Sequence, residues 1–297
     1  MRRLVLLILA CAIILPSLAQ AYDVLVLQSR RDPAYEEVLK GFHYLHAFSE
    51  RVVVLSDYAE ADITRIVRED RPGLVLAVGD SALATARKLR QTPVIALMAL
   101  GIHDRRNSPP NLTGIGMFAP TERYLDLFKG MKARRVGVIY NPAKSGWYLN
   151  QARQAAQQMG IELVVREVRN PRDTLNRLTE LKGVVDALWM LPDTTAVTRE
   201  TSEAYFRFSQ EAHVPVVSFA GAYLGLGAAA VLEIDRVELG RQAGEMAAAL
   251  LRGGEAAEKQ ISWPRRTGFR ANKSVLKTLG IDVDSLAAHA ARPHEQP

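Results

Sequence analysis

Short apolar runs alternate along this chain with longer segments in which apolar residues recur every three or four positions. Uninterrupted apolar runs are typical of strands covered on both faces, and the longer spacing is typical of amphipathic helices. Strands are predicted at 24–28, 52–56, 74–79, 94–100, 135–141, 162–168, 187–191, 216–220 and 229–234. Helices are predicted at 35–48, 63–69, 82–89, 122–131, 149–159, 173–181, 199–212 and 237–251, with a short last one ending at Leu279. This alternation indicates an α/β protein with parallel, doubly wound sheets.

Two stretches of the chain share one order of features. Residues 74–81 and 187–194 each form an apolar run that ends in Asp and a hydroxyl residue, and each leads through a helix to a Pro-Val strand start. We therefore expect two Rossmann-like lobes, with a crossover near 113–120. The expected limits are 22–117 with about 235–262 for the first lobe, 118–234 with about 263–286 for the second, and 287–297 for a fraying tail.

The first 21 residues have the layout of a secretory signal. Arg2 and Arg3 precede the apolar run 4–18, and small residues around Ala21 offer a cleavage point. The alternative is an N-terminal anchor that is retained. Cys11, the only cysteine of the 297 residues, lies in this segment, so the remaining chain would contain no disulfide and no thiol nucleophile. We predict a periplasmic protein.

The charge pattern argues against nucleic acid as a partner. The formal charge is +6, but the 38 Lys and Arg residues are scattered among 32 Asp and Glu residues. No P-loop is present, and Gly114 and Gly116 lack the third glycine of a dinucleotide loop, so we expect no cofactor. His43 and His46 stand three apart on a predicted helix without a third ligand, and they are interpreted as surface histidines rather than as a metal site.

One short motif raises an enzymatic alternative. Gly79-Asp80-Ser81 is similar to the nucleophile block of the GDS-type hydrolases. That chemistry needs a histidine base with an aspartate three residues before it near the C-terminus, and neither His289 nor His294 has one. We expect no catalysis, with a hydrolase based on Ser81 as the remaining alternative.

Candidate binding residues follow from the strand ends, because ligands of open α/β sheets lie beyond the carboxyl ends of the strands. The loops concerned are 28–31, 79–82, 99–103, 141–147, 192–195 and 219–221. The predicted ligand-binding residues are Gln28, Ser29, Asp80, Ser81, Asn141, Ser145, Trp147, Asp193, Thr194 and Phe219. Such amide, hydroxyl and carboxylate groups suit a zwitterion or a small carboxylate. Ser81 and Thr194 could instead be helix caps, and Trp147 could pack against its own helix.

Several stretches between Asn111 and Gly253 resemble the ABC-transporter substrate-binding proteins of the tryptophan/aromatic-amino-acid type. The matching stretches are Leu112-Thr113-Gly114, 135–142, 191–197, 213–216, 239–243 and the closing segment 271–281. The resemblance implies a type I periplasmic-binding fold with hinged lobes, and a membrane permease and an ATPase as partners. It also implies that Ser81, the loop 141–147 and Asp193-Thr194 face the ligand, with Asp193 pairing with an α-amino group. Where the family has Asn-Ser, this chain has Gly146-Trp147, which replaces donors by a large ring.

These observations favour a solute-binding component of an ABC importer. A periplasmic sensor that presents its ligand to a signalling receptor is the second interpretation, because it would use the same cleft.

Overall fold

The computed structural model describes residues 22–104, 108–253 and 261–290, and these residues contain two six-stranded sheets. The first sheet has the order β11-β5-β4-β3-β1-β2. Its strands are β1 (Val24–Gln28), β2 (Glu50–Val54), β3 (Leu74–Val78), β4 (Val94–Leu97), β5 (Leu112–Ile115) and β11 (Ile261–Ser262). The second sheet has the order β12-β10-β9-β8-β6-β7. Its strands are β6 (Arg135–Tyr140), β7 (Glu162–Glu167), β8 (Ala187–Trp189), β9 (Val216–Ser218), β10 (Ala230–Ile234) and β12 (Thr267–Ala271).

All neighbouring strands pair in parallel except β10 and β12, which are antiparallel. The central strands β1 and β3 have almost no exposed surface, because helices cover both faces of the sheet. This burial explains why their sequences are apolar without alternation. The prediction of two parallel α/β lobes is confirmed.

Ten α-helices connect the strands of the described residues. They are α1 (Pro33–Phe42), α2 (Ile63–Asp70), α3 (Asp80–Ala86), α4 (Thr121–Gly130), α5 (Pro142–Gln158), α6 (Asp173–Glu180), α7 (Arg199–Ala212), α8 (Arg236–Leu251), α9 (Lys273–Thr278) and α10 (Val283–Ala290). Side-chain caps fix the starts of several of these helices, such as Asp32 on α1 and Asp235 on α8. None of the helices within these ranges has the length and apolar content needed to cross a membrane.

The chain crosses between the sheets after β5, after β10 and between β11 and β12. Helix α8 contacts α1, β3, β4 and β5, so it covers the first sheet. Strand β12 pairs in the second sheet, and α10 packs against α4 beside it. The exact limits of the lobes stay a prediction. The predicted signal at 1–21 lies outside the described residues.

Helices α1 and α8 cross at unusually short range because three glycines lie at the crossing. A Cβ atom on Gly41 would overlap the carbonyl oxygen of Val237, and one on Gly240 would overlap that of Val38. A Cβ on Gly244 would lie 2.7 Å from the carbonyl oxygen of Phe42. Only glycine permits this approach of the two backbones.

Several predicted elements differ from those in the structure. Strand β5 was not predicted, because the glycines at 114 and 116 indicated a turn. Gly114 instead lies inside the strand, where a Cβ atom would overlap the carbonyl oxygen of Ala96 on β4. The helix predicted at 35–48 ends at Phe42, and the exposed His43 is its C-cap and pairs with Glu50, so His43 and His46 do not share a helix face. The tail predicted at 287–297 is helical as far as Ala290, and its remainder lies outside the described residues.

Three buried tyrosines predict that the stability of the fold decreases at alkaline pH. Burial raises the pKa of Tyr124, Tyr148 and Tyr205 well above the ordinary value of about 10. Two of these phenols donate to carbonyl oxygens, Tyr124 to Leu232 at 3.3 Å and Tyr148 to Ala119 at 2.7 Å. The folded state therefore keeps protons that the unfolded state loses.

The stabilisation from these phenols should be complete below about pH 10 and should decrease as the pH rises above it, because the unfolded state then binds fewer protons. Urea unfolding at increasing alkaline pH should show this decrease, with the phenolate absorbance of the three tyrosines appearing only on unfolding. Tyr124→Phe should make the decrease less steep. Ionisation of every tyrosine in the folded protein would contradict the prediction.

Candidate ligand-binding cleft

A ring contact joins the carboxyl ends of the two sheets. After β4 the chain forms a 3₁₀ turn, Leu100–His103, and Leu100 packs against the core of the second lobe. The imidazole ring of His103 stacks on the indole of Trp147, with centroids 3.8 Å apart and planes at 24°. Trp147 lies on α5, which follows β6. Since both rings follow the carboxyl ends of their strands, the space between the lobes is the candidate site.

Trp147 belongs to a larger aromatic cluster at the crossings. Phe118 meets its ring edge-on at 5.1 Å, and Trp263 lies at 6.0 Å. Phe118 is in the crossover after β5, and Trp263 is in the one between β11 and β12. The indole N–H of Trp147 is buried and has no acceptor within the described part of the chain. The ring thus packs well beyond its own helix and fills space between the lobes.

The residues predicted from the first lobe lie together at the ends of β1 and β3. Ser29 accepts a hydrogen bond from the backbone N–H of Ala82 at 2.9 Å, and Asp80 accepts one from the N–H of Gly101 at 2.8 Å. Gln28 and Ser29 are half-buried, while Asp80 and Ser81 are exposed. One oxygen of Asp80 and the hydroxyl of Ser81 thus remain available for a ligand.

Ser81 is not a helix cap. The N-cap of α3 is Gly79, which has a φ of 94° and fits against Tyr35 and Ser29 where no side chain could. The hydroxyl of Ser81 makes no hydrogen bond within the described ranges. The alternative interpretation of Ser81 as a cap is therefore wrong.

Backbone strain accompanies the end of β4. Met98 has a φ of 53°, a left-handed conformation that costs an ordinary residue about 1–2 kcal/mol. It directs the chain into the turn that carries His103. Such strain concentrates at functional sites.

Asp193 is a buried anchor of the second lobe. It is 2% exposed, and one carboxylate oxygen accepts from the N–H of Asn141 at 2.8 Å and from the hydroxyl of Ser145 at 2.5 Å. The other oxygen accepts from the N–H groups of Thr195 and Ala196 at 2.9 and 3.0 Å. The carboxylate thereby ties the turn after β8 to the start of α5.

The structure does not support the expected contact between Asp193 and an α-amino group. Each carboxylate oxygen already accepts two hydrogen bonds, which is its ordinary capacity, and no face is exposed. Ser145 is likewise fully buried and donates to this carboxylate rather than facing the cleft. Both residues therefore hold the start of α5 against the turn after β8 inside the second lobe.

The loop predicted at 141–147 is the start of α5. Asn141 caps this helix by accepting from the N–H of Ala143 at 2.9 Å, and its amide donates to the hydroxyl of Thr195 at 3.2 Å. Asp193 and Thr194 do not cap α7, because that helix begins at Arg199 with Thr198 as its N-cap. Thr194 is exposed, and its hydroxyl makes no hydrogen bond among the described residues.

Most of the predicted residues thus lie at or directly after the carboxyl ends of strands in the two sheets. Phe219 also follows a strand end, but its half-buried ring packs edge-on against Tyr223 at 5.4 Å, in the core of the second lobe. Sequence reasoning missed His103 as an individual residue, although it lies in a predicted contact loop, and it missed Phe118 and Trp263. No local signal marks them.

Within the described ranges, no group of three or more His, Cys, Asp and Glu residues could hold a metal ion.

Comparison with known proteins identifies the family. The model of the ABC transporter substrate binding protein family matches residues 55–293. The chain belongs to this family. Its members bind solutes and are not enzymes, so the hydrolase alternative at Ser81 is excluded and the prediction of no catalysis is confirmed.

Individual relatives are similar to this chain in sequence or in fold. The chain is 24% identical over 230 residues to a tyrosine-binding protein of Clostridioides difficile, a match that covers 74% of this chain and 66% of that protein, just under two thirds of its length. A Streptococcus pneumonia ABC domain solved in complex with L-Trp has a TM-score of 0.64 at 20% identity, covering 90% of this chain and 99% of that one. A ligand-free, open substrate-binding protein of Clostridium difficile has a TM-score of 0.67 at 19% identity, covering 88% and 96%. These similarities support the type I periplasmic-binding fold.

Proposed function

We propose that this protein is the solute-binding component of an ABC importer, and that it takes up an amino acid or a small carboxylate between its lobes. In this proposal the chain is exported, acts in the periplasm and delivers its ligand to a membrane permease and an ATPase. The observation that supports the proposal is the stacking of His103 on Trp147, because these two rings follow the carboxyl ends of strands in different sheets.

The cleft offers matched groups for a zwitterion. The hydroxyls of Ser81 and Thr194 and the indole N–H of Trp147 are donors without an acceptor inside the described chain, so they suit a carboxylate. Asp80 is exposed and uses one oxygen on Gly101, so it is the proposed partner of an ammonium group in place of Asp193. A charged hydrogen bond of this kind is roughly twice as strong as a neutral one.

Hinge bending follows from how the chain divides. We take the first lobe as 22–117 with about 235–262 and the second as 118–234 with about 263–286. Support comes from strand membership, since β1 to β5 and β11 form one sheet and β6 to β10 and β12 form the other. Three short crossings then join two separately packed cores, which is the arrangement that permits hinge closure around a ligand.

The relatives indicate which ligands to test first. One curated relative is a tyrosine-binding protein, and one solved relative contains L-Trp. L-Tyr and L-Trp therefore lead a thermal-shift screen that continues through other amino acids and small carboxylates lacking an amine. A ligand at about 100 times its Kd should add about 2.7 kcal/mol to the free energy of unfolding.

Asp80→Asn should remove most of that ligand-induced shift. The asparagine can still accept from Gly101, so the fold is kept while the charge that pairs with the ammonium is lost. Asp284→Asn is the matched control, because Asp284 is an exposed aspartate on α10, away from the strand ends, and its variant should keep the full shift. A full shift with Asp80→Asn, or an equal shift from the amine-free analogue of the ligand, would refute the assigned role.

The transport part of the proposal needs a separate measurement. Cells that lack this chain should lose uptake of the radiolabelled ligand, and the wild-type chain should restore it while the Asp80→Asn chain does not. Unchanged uptake in the deletion strain would favour the sensor interpretation instead.

A further inference from the structure

The crossing from β11 to β12 passes from one lobe to the other at a single residue. The buried amide of Gln242 on α8 donates to the carbonyl oxygen of Trp263 at 3.0 Å and accepts from the N–H of Arg265 at 3.1 Å. These two bonds hold the start of the crossing on the first lobe. Two residues later, Thr267 begins β12 in the second sheet. The change of lobe therefore takes place at Arg266.

The crossing from β10 to α8 changes lobe at the same level. Ile234 ends β10 and pairs with Thr267, and α8 begins at Arg236, so Asp235 is the residue between them. The N–H of Asp235 donates to the carbonyl oxygen of Arg266 at 3.1 Å. This bond joins the two crossings, so they form one hinge.

Four charged side chains, which we call the hinge latch, form a row of alternating sign across this hinge. At one end, inside the first lobe, Arg236 donates to Glu37 on α1 at 2.8 Å. At the other end, inside the second lobe, Arg270 on β12 lies 3.5 Å from Glu233 on β10. The middle pair, Arg236 and Glu233, has a distance of 3.2 Å and joins the two lobes.

Because both ends of the latch are anchored, the middle pair is sensitive to the angle between the lobes. Glu37 is fixed relative to Arg236, since the glycines Gly41 and Gly240 bring α1 and α8 into direct backbone contact. Glu233 is fixed in the second sheet, since β10 pairs with both β9 and β12. A rotation at the hinge therefore changes the distance between Glu233 and the guanidinium of Arg236.

The latch and the stack of His103 on Trp147 lie on opposite faces of the second sheet. Leu232 packs in the same core cluster as Trp147. Its neighbour Glu233 points to the other face, as successive residues of a strand do. The lobes are thus joined by two separate contacts, and the structure contains both of them.

We propose that the hinge latch holds the lobes in this joined arrangement and makes the opening of the cleft depend on ionic strength. The inference rests on the proposed solute-binding function, in which a solute enters between parted lobes. The four side chains are between 23% and 61% exposed, so dissolved salt screens their attraction. An exposed ion pair of this kind should shift the ratio of joined to parted protein by about two- to fivefold.

The test measures the distance between the lobes by double electron–electron resonance, without any ligand. Spin labels are attached at Ala84→Cys on α3 and Gln151→Cys on α5, which are exposed positions in different lobes, in the full chain with Cys11→Ser. Glu233→Gln and Arg236→Gln should each raise the ratio of parted to joined protein by about two- to fivefold. Salt at about 1 M should raise this ratio in the wild type and leave it almost unchanged in Glu233→Gln.

The double variant Glu233→Gln with Arg236→Gln tests the pair itself. It should part the lobes no more than either single variant, because each substitution alone already removes the pair. Glu69→Gln is the matched control, since Glu69 pairs with Arg65 at 2.8 Å within one helix of the first lobe. The control variant should keep the wild-type distance. Urea unfolding establishes that each variant is folded.

Three results would overturn the proposal. Wild-type distances in both single variants would mean that the latch holds nothing. An equal response to salt in the wild type and in Glu233→Gln would mean that other charges join the lobes, and additive effects in the double variant would mean that the two residues act separately. Since no ligand is used, a protein that binds no solute would refute the proposed function and leave the latch standing.

Discussion

Replacing Asp193 by alanine should lower the free energy of unfolding by about 3–5 kcal/mol, which is a large part of the stability of an ordinary domain. The substitution leaves three backbone N–H groups and the hydroxyl of Ser145 without their acceptor in a buried place. It also disconnects the turn after β8 from the start of α5. Chemical denaturation of the purified variant measures the loss.

Two controls separate this anchoring role from a role in the cleft. Asp193→Asn keeps one carbonyl oxygen for the N–H groups of Thr195 and Ala196, so it should lose clearly less stability than Asp193→Ala. Thr194→Ala changes an exposed neighbour and should remain within about 0.5 kcal/mol of the wild type. An Asp193→Ala protein of normal stability that fails only to bind ligand would restore the original expectation of an ion pair with the ligand.

Gly240→Ala should cost about 3 kcal/mol or more, because the added methyl group would overlap the carbonyl oxygen of Val38. Backbone atoms cannot move aside as a flexible side chain can, so α1 and α8 would have to separate along their whole contact. Thermal and urea unfolding of the variant measure the cost.

Gly225→Ala is the matched control for this prediction. Gly225 has an ordinary φ of −66°, and a Cβ there would come no closer than 3.7 Å to another atom. The same chemical change should therefore be close to neutral at this position. If Gly240→Ala unfolded at the same urea concentration as Gly225→Ala, the close approach of the two helices would be wrong.

The fold was predictable because the buried strands have a strong local signature. Strands β1 and β3 are covered on both faces, so their sequences contain only apolar residues apart from Gln28. Strand β5 lacked that signature, since its close contact with β4 requires Gly114, and glycine in a sequence indicates a turn as readily as a close approach. The start of α5 was missed for a similar reason. Pro142 and Gly146 in the sequence indicated a loop, but they lie in the first turns of a helix that Asn141 caps.

The location of the candidate site was predictable from the sequence, but the exposure and partners of its individual residues were not. The rule that ligands bind at the carboxyl ends of strands selected Asp80 and Asp193 alike. Whether Asp80 or Asp193 is exposed depends on partners distant in sequence. Asp193 is buried because Asn141 and Ser145, about 50 residues earlier in the chain, donate hydrogen bonds to it. The pairing of His103 with Trp147 depends on how the two lobes meet, which no local pattern encodes.

The stack of His103 on Trp147 has a thermodynamic consequence for the ligand-free protein. An aromatic stack contributes about 0.5–1.5 kcal/mol beyond its buried area, so by itself it favours the joined form only by roughly two- to twelvefold. We therefore expect this stack, taken by itself, to break and re-form readily. A solute that gains more than this by touching both halves would then set the position of the equilibrium, and the indole of Trp147 would report it as a change in intrinsic fluorescence.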